Sequence, residues 1–212
     1  MKNNNEQLEK KIIINQYRSL IRSINNKINT QEKKQIREAF NIAVNAHNNT
    51  RRKSGDLFIT HPISVAKIVA QDIGLGSTSI ICSLLHDVVE DTEITSEQIK
   101  NQFGEQVQLI IDGLTKISGV VDADVSLQAE NFRKMILTIS NDIRVVLIKI
   151  ADRLDNMRSL DYLKPRKQQK IASETLYLYA PLAHRLGLYS IKTELEDLSL
   201  KYTDPEIYFN IS

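Results

Sequence analysis

Apolar side chains recur every three or four residues from one end of the 212-residue sequence to the other, and strict alternation is missing. Such spacing gathers side chains on one face of a helix, whereas a half-buried strand needs a period of two. The chain is therefore expected to be all-α, with about nine to eleven helices, and the scarcity of breakers (seven glycines, four prolines) agrees. Stripes through Ile13, Tyr17, Leu20, Ile24 and Ile28, then Ile36, Phe40, Ala43, Val44 and His47, mark the first two helices. Thr30 is the expected N-cap of the second, with Lys33 where a capping box would want an acid. His47, on the apolar face near that helix's end, reads as a packed or C-terminal histidine.

Further helices are expected with Pro62 in the first turn and His61 at the mouth, through Val65, Ala66, Val69 and Ile73 to an end at Gly74 and Gly76; over Ser77 to Asp91; from a Thr95–Gln98 capping box to Phe103-Gly104; and through Val107, Ile110, Ile111 and Leu114. Residues 115–128 read as a loop, followed by a helix through Phe132, Met135, Ile136 and Ile139. Asn141 or Asp142 then caps Ile143 to Leu160, whose Val145-Val146-Leu147-Ile148 run is apolar on nearly every face and marks the domain centre. Pro181 should kink a helix over 168–185 because its nitrogen cannot donate. A last helix runs from Ser190 to about Tyr202.

Composition narrows the functional classes. A net charge of +2, from 28 basic and 26 acidic residues, provides no global field for nucleic acid. Cys82 is the only cysteine and lies among apolar residues, which suits a core position in a reducing cytoplasm. Met1 to Lys11 lacks the apolar segment of a signal peptide, and no apolar run reaches the ~20 residues of a membrane span.

Polar residues then stand out against the helical pattern. In His86-Asp87-Val88-Val89-Glu90-Asp91, a continuous helix would set His86 over Glu90 and Asp87 over Asp91, beside an apolar stripe through Ile80, Ile81, Leu84, Leu85 and Val88. Desolvating these groups is unfavourable unless something satisfies them. A divalent metal would; an exposed acidic helix end with a capped histidine is the alternative. His61 stands at a helix mouth behind the basic run Arg51-Arg52-Lys53, which is either a solvated turn or an anion clamp. Asp152, Asn156 and Ser159 share a face at the edge of the buried helix, where Asp152 needs a cation: Arg153, Arg158 or a metal. Two imidazoles and two carboxylates, His61, His86, Asp87 and Asp152, suit a borderline-to-hard divalent ion such as Mn²⁺.

The ordered pattern H…HD…D resembles the HD superfamily of metal-dependent phosphohydrolases. Arg52-Lys53-Ser54-Gly55, His61-Pro62, His86 through Thr92, Ala151-Asp152-Arg153-Leu154, Ala129-Glu130-Asn131 with Arg133-Lys134-Met135, and Tyr179 through Gly187 resemble the hydrolase domain of the RelA/SpoT homologue family. The resemblance covers about residues 15–212. It implies a cytoplasmic Mn²⁺-dependent enzyme that removes the 3′-pyrophosphate of ppGpp or pppGpp, giving GDP or GTP. It further implies metal ligation by His61, His86, Asp87 and Asp152, and water activation by Glu90 and Asp91. Arg52 would lie against the guanine, with Lys53, Ser54, Asn156 and Ser159 at the nucleotide. Asp155 and Ser159 depart from the family's usual His and Thr.

The same resemblance divides the chain into an N-terminal helix (1–30), the hydrolase domain (31–190) and a connector (191–212) toward synthetase and regulatory domains in cis. It implies neither membrane nor direct nucleic-acid binding by this stretch. Two other readings remain: an HD phosphohydrolase for another nucleotide, or a catalytically idle nucleotide-binding regulatory module.

Overall fold

In the computed structural model, the described residues are 2–24, 28–48, 50–118 and 142–211. They form an all-α structure without a strand; Arg51 and Leu57 make one isolated antiparallel bridge. The expected loop beyond residue 118, the helix through Phe132 and Met135, the Ala129–Met135 motif and the Asn141 cap lie outside the described residues. Two units follow one another, Met1–Ile148 and Lys149–Ser212.

The first unit contains α1 (Lys2–Ile24), α2 (Thr30–Ala46), α3 (Thr60–Gln71), α4 (Ser77–Leu85), α5 (Val88–Asp91), α6 (Ser96–Phe103) and α7 (Glu105–Ser118), and the start of α8 (Ile143–Arg158). Helix α4 is its centre: Ser79 through Leu85 are all buried, and α2, α3 and α7 pack around them. Leu20, Ile36, Ile63, Ile80, Leu84, Ile110, Ile111 and Leu114 are fully buried there. Each such side chain contributes roughly 1.5–3 kcal/mol by leaving water. Cys82 is core as expected; its Sγ faces the Val107 carbonyl, and burial pushes the thiol pKa well up.

Several boundaries differ from expectation. The N-cap of α2 is Asn29, one residue early, and this supplies the missing acid: Glu32 becomes N3 and closes a reciprocal capping box. His61 lies inside the first turn of α3, since Thr60 opens that helix through the Leu57 carbonyl. Helix α7 runs to Ser118, so the first four residues of the expected loop are helical. The Thr95–Gln98 box is present, and Gly104, at φ +92°, ends α6 where a side chain would be strained.

The second unit holds the rest of α8, a 3₁₀ turn (Leu160–Tyr162), α9 (Pro165–Glu174), a π turn (Thr175–Tyr179), α10 (Ala180–Arg185), α11 (Tyr189–Thr203) and α12 (Pro205–Ile211). Pro165 opens α9 from its first turn, where its missing N–H is no loss. Pro181 cannot donate to the carbonyl four residues back; the helix widens just before it, with the Ala180 N–H reaching Thr175. α9, the π turn and α10 pack along α11. α8 ends at Arg158, leaving Ser159 in the turn beyond it. Helix α12 was not expected from the sequence; Asp204 accepts from the Ile207 amide at its start.

Gly113 sits mid-helix, where alanine would ordinarily be better by roughly 1 kcal/mol. A Cβ there would lie 2.9 Å from Val145 Cγ2 and 3.3 Å from Cγ1. Valine has little rotamer freedom to yield, so overpacking outweighs propensity. Gly113→Ala is expected to destabilise the chain by about 1–3 kcal/mol in urea unfolding; a stabilised variant would remove this account of the glycine.

Candidate metal centre

The helix expected across Ser77–Asp91 is broken at its most polar residues. His86 and Asp87 form a turn between α4 and α5. His86 Nδ1 lies 2.8 Å from the Ser83 carbonyl. A carbonyl can only accept, so Nδ1 carries the proton and the lone pair of the neutral ring is on Nε2. That Nε2 faces Asp87 Oδ2 at 3.2 Å. A lone pair against a carboxylate repels unless a proton or metal cation is shared.

His61 approaches the same carboxylate from α3, with Nε2 3.8 Å from Oδ2, and the two imidazole rings stand edge to face at 5.1 Å. Both histidines are buried, and Asp87 is partly accessible at 22%. Charging both rings to meet one carboxylate would set two imidazoliums against each other. One divalent ion shared by two neutral imidazoles and a carboxylate satisfies all three, so the donor set fits a metal.

Glu90 and Asp91 lie on the single turn of α5, exposed, and the Asp91 amide bonds the Asp87 carbonyl at 2.9 Å. The expected stacking of Asp87 and Asp91 thus survives the break. Desolvation of its carboxyl against the domain, and then the Asp87 carboxylate, push Asp91 above its ordinary pKa. It holds a proton more readily than a solvated aspartate.

The basic run is a built turn. Arg51 is its anchor, donating to Glu9 at 2.5 Å and to the Gly55 carbonyl at 2.9 Å. The Arg52 amide donates to the Asp56 carbonyl, and Ser54 Oγ donates to Asp56 Oδ2 at 2.7 Å. Arg52 and Ser54 are half-buried and Lys53 is exposed.

In the second unit, Asn156 Nδ2 donates to Asp152 Oδ1 at 2.8 Å, so the two share a face as expected. Asp152 lies in the field of Arg153, as the sequence suggested, and of a lysine on the same helix. Lys149 lies 3.5 Å away, while Arg153 turns to Glu174 and the Tyr179 ring, and Arg158 chelates Glu194. An i,i+3 lysine reaches Asp152 from its own helix; both arginines also engage partners on later helices. Ser159 Oγ is turned back to the Asp155 and Asn156 carbonyls, and Asp155 is buried.

His47 is the packed, helix-ending histidine that the sequence suggested, and Phe58 links it to the histidine pair. The His47 ring packs on Phe58 at 4.5 Å, and Phe58 meets His61 edge to face at 6.0 Å. His47 is 4% exposed, with its Nε2 buried and making no hydrogen bond. Its place on the apolar stripe gave the packing; that the packing reaches the His61 ring through Phe58 is seen only in the fold.

The chain belongs to the HD-domain family, whose model matches residues 39–189. That family implies divalent-metal binding, and the His–Asp grouping is of that kind. Three relatives are similar over most of the chain. The guanosine-3′,5′-bis(diphosphate) 3′-pyrophosphohydrolase of Aquifex aeolicus is 47% identical over 178 residues, 84% of this chain and 25% of that protein. The bifunctional (p)ppGpp synthase/hydrolase SpoT of Escherichia coli is 44% identical over 194 residues, 89% and 28%. A GTP pyrophosphokinase of Streptomyces coelicolor is 46% identical over 192 residues, 91% and 22%. The chain thus spans about a quarter of the length of these relatives. A solved structure titled as a metazoan ortholog of SpoT that hydrolyzes ppGpp is similar with a TM-score of 0.57 and 25% identity, covering 77% of this chain and 93% of that one.

Burial holds the His47 imidazole below its ordinary pKa of 6.5, with Asp87 and Asp91 opposing. An unfolded histidine therefore binds protons more readily than the folded one. Its share of stability is complete above pH 6.5 and is lost as pH falls below that value. His47→Gln is expected to flatten stability against pH below 6.5 in denaturant titrations; an unchanged slope would place the acid sensitivity elsewhere.

Proposed function

We propose that the chain is the hydrolase domain of a longer cytoplasmic protein and removes the 3′-pyrophosphate of ppGpp or pppGpp, releasing GDP or GTP. The observation that carries this is the convergence of the His61 and His86 Nε2 atoms on Asp87 Oδ2, one turn before the Glu90–Asp91 pair. The names of the similar hydrolases favour this substrate. In this reading residues 1–30 pack on the domain, 31–190 form it, and 191–212 lead toward a synthetase domain in cis.

His61, His86, Asp87 and Asp152 would hold the metal, with Mn²⁺ the preferred ion because nitrogen and carboxylate donors are mixed. When bound, that ion would lower the pKa of a water and screen phosphate charge. The remaining chemistry belongs to the side chains. Glu90 takes a proton from the attacking water, whose oxygen joins the phosphorus as the bond to the 3′-oxygen breaks. Asp91, with its raised proton affinity, supplies the proton that leaves the 3′-oxygen as a hydroxyl. Arg52 offers a planar face to the guanine, Lys53 and Ser54 meet the phosphates and sugar, and Asn156 and Ser159 contact the nucleoside.

Product analysis with ppGpp, with and without Mn²⁺, tests the reading. Metal-dependent release of GDP and pyrophosphate is expected. Tight binding without turnover would mean a regulatory module, and no binding would mean another nucleotide. Asp87→Ala should abolish Mn²⁺ binding by calorimetry and turnover together while the helical circular dichroism stays. Glu90→Gln should keep the metal and reduce kcat by about 10²–10⁴-fold; an unchanged kcat removes Glu90 from the chemistry.

A further inference from the structure

Away from the histidine pair, the first unit has a groove of about 760 Å³ between α1 and α2, lined by Arg18, Arg22, Lys33, Lys34 and Arg37. Asn15, Tyr17 and Ile21 complete the lining, which contains no carboxylate among the described residues. Arg18 and Arg22 are four apart on α1, and Lys33 and Arg37 are four apart on α2. Like charges at that spacing repel, and here two such pairs share one groove.

Nearby acids do not relieve the repulsion. Glu32, beside Lys33 in sequence, is engaged elsewhere: one carboxylate oxygen accepts from the Asn29 amide at 2.8 Å and the other from Ser77 Oγ at 2.5 Å. Glu9 is taken by Arg51. Arg22 Nε donates to the Arg18 carbonyl at 3.3 Å, which steadies its side chain and leaves the rest of its guanidinium to other acceptors. None of the five cations is in an ion pair among the described residues. In a chain with a net charge of only +2, this is a local concentration of positive charge.

We propose that this groove is a second anion site, taking a compact polyphosphate-bearing ligand such as a nucleoside polyphosphate or inorganic polyphosphate. Cation pairs on two helices can contact several phosphate oxygens at once, with the arginines supplying forked donors. The groove falls within the ~300–1,000 Å³ usual for small-molecule sites. Each cation pair spans only about 6 Å along its helix, too short a track for a nucleic-acid polymer. Tyr17 stacks on Phe40 at 4.2 Å and is buried, so the groove offers phosphate contacts more than a base platform. The site stands on its own cavity and cations, independently of the hydrolase reading.

The test is calorimetric titration of the whole chain with tripolyphosphate in EDTA, at about 0.1 M salt. Binding is expected without divalent metal and should persist in Asp87→Ala and Arg52→Ala. It should weaken at least about tenfold in the double variant Arg22→Gln/Arg37→Gln and largely return in Arg22→Lys/Arg37→Lys, where charge is kept. Should the double variant fail to fold by circular dichroism, Lys33→Gln alone carries the comparison. GTP binding more tightly than tripolyphosphate would identify a nucleotide, and equal affinity would identify the phosphate chain; both support the site. No binding in EDTA, binding unmoved by the glutamine variants, or tighter binding of RNA oligonucleotides with affinity rising with length would overturn it.

Discussion

The contact between His86 Nδ1 and the Ser83 carbonyl sets the rest of the centre. In a continuous helix that carbonyl would take the amide of Asp87. With the imidazole seated on it, the chain turns at His86–Asp87, and the ring's other nitrogen is directed at the Asp87 carboxylate. One side-chain hydrogen bond thus accounts for the helix break, the tautomer and the approach of His86 to Asp87. The buried α4 beneath it makes the arrangement rigid, since Ser79 through Leu85 have no room to move. The donors stand on the end of the best-packed helix in the unit, and the exposed turn of α5 presents Glu90 and Asp91 beyond them.

Much of this was legible in residue order. Helical period gave the all-α class, and spacing brought His86, Asp87 and Asp91 together. What sequence alone missed has identifiable causes. Asn29 and Thr30 are both good caps, and only the Glu32 side chain, folding back on the Asn29 amide, decides between them. The break at His86 depends on a side chain bonding its own helix, which no periodicity records. Proximity in sequence related Arg153 to Asp152, but it could not show that Arg153 and Arg158 also engage Glu174 and Glu194, 21 and 36 residues further on. That His47 would pack was legible from its stripe; its partner Phe58 was not, because ring packing between a helix end and a loop is of tertiary origin.

His47 and Cys82 show how burial sorts groups that sequence cannot. Both titratable side chains are buried in the first unit, and burial disfavours the charged form of each. Cys82 has apolar surroundings and a carbonyl contact, so it becomes inert core. His47 lies within the field of Asp87 and Asp91, which pull its proton affinity back up. Its neutrality is thus a balance that depends on the charge of the neighbouring site. A cation held at Asp87 would weaken that carboxylate's pull and tip His47 further toward the neutral ring.

The same electrostatic reasoning separates the two basic regions of the first unit. In the turn at Arg51–Asp56, charge is tied down: Arg51 is committed to Glu9 and to the Gly55 carbonyl, and Asp56 accepts from Ser54. That turn is shaped before any ligand arrives, so Arg52 and Lys53 are presented from a fixed backbone, as a geometry-dependent reaction requires. In the α1–α2 groove, five cations line one cavity with no carboxylate among the described residues. Their mutual repulsion is a standing energetic penalty that an anion would relieve, so binding there would tighten the α1–α2 pair as well as hold the ligand. An anion bound at either place would stabilise the folded chain by mass action; in the groove, part of that gain would come from relieved repulsion. The two regions thus differ in where their charge is held: in the turn it is fixed by internal partners, and in the groove it is left to be met from outside.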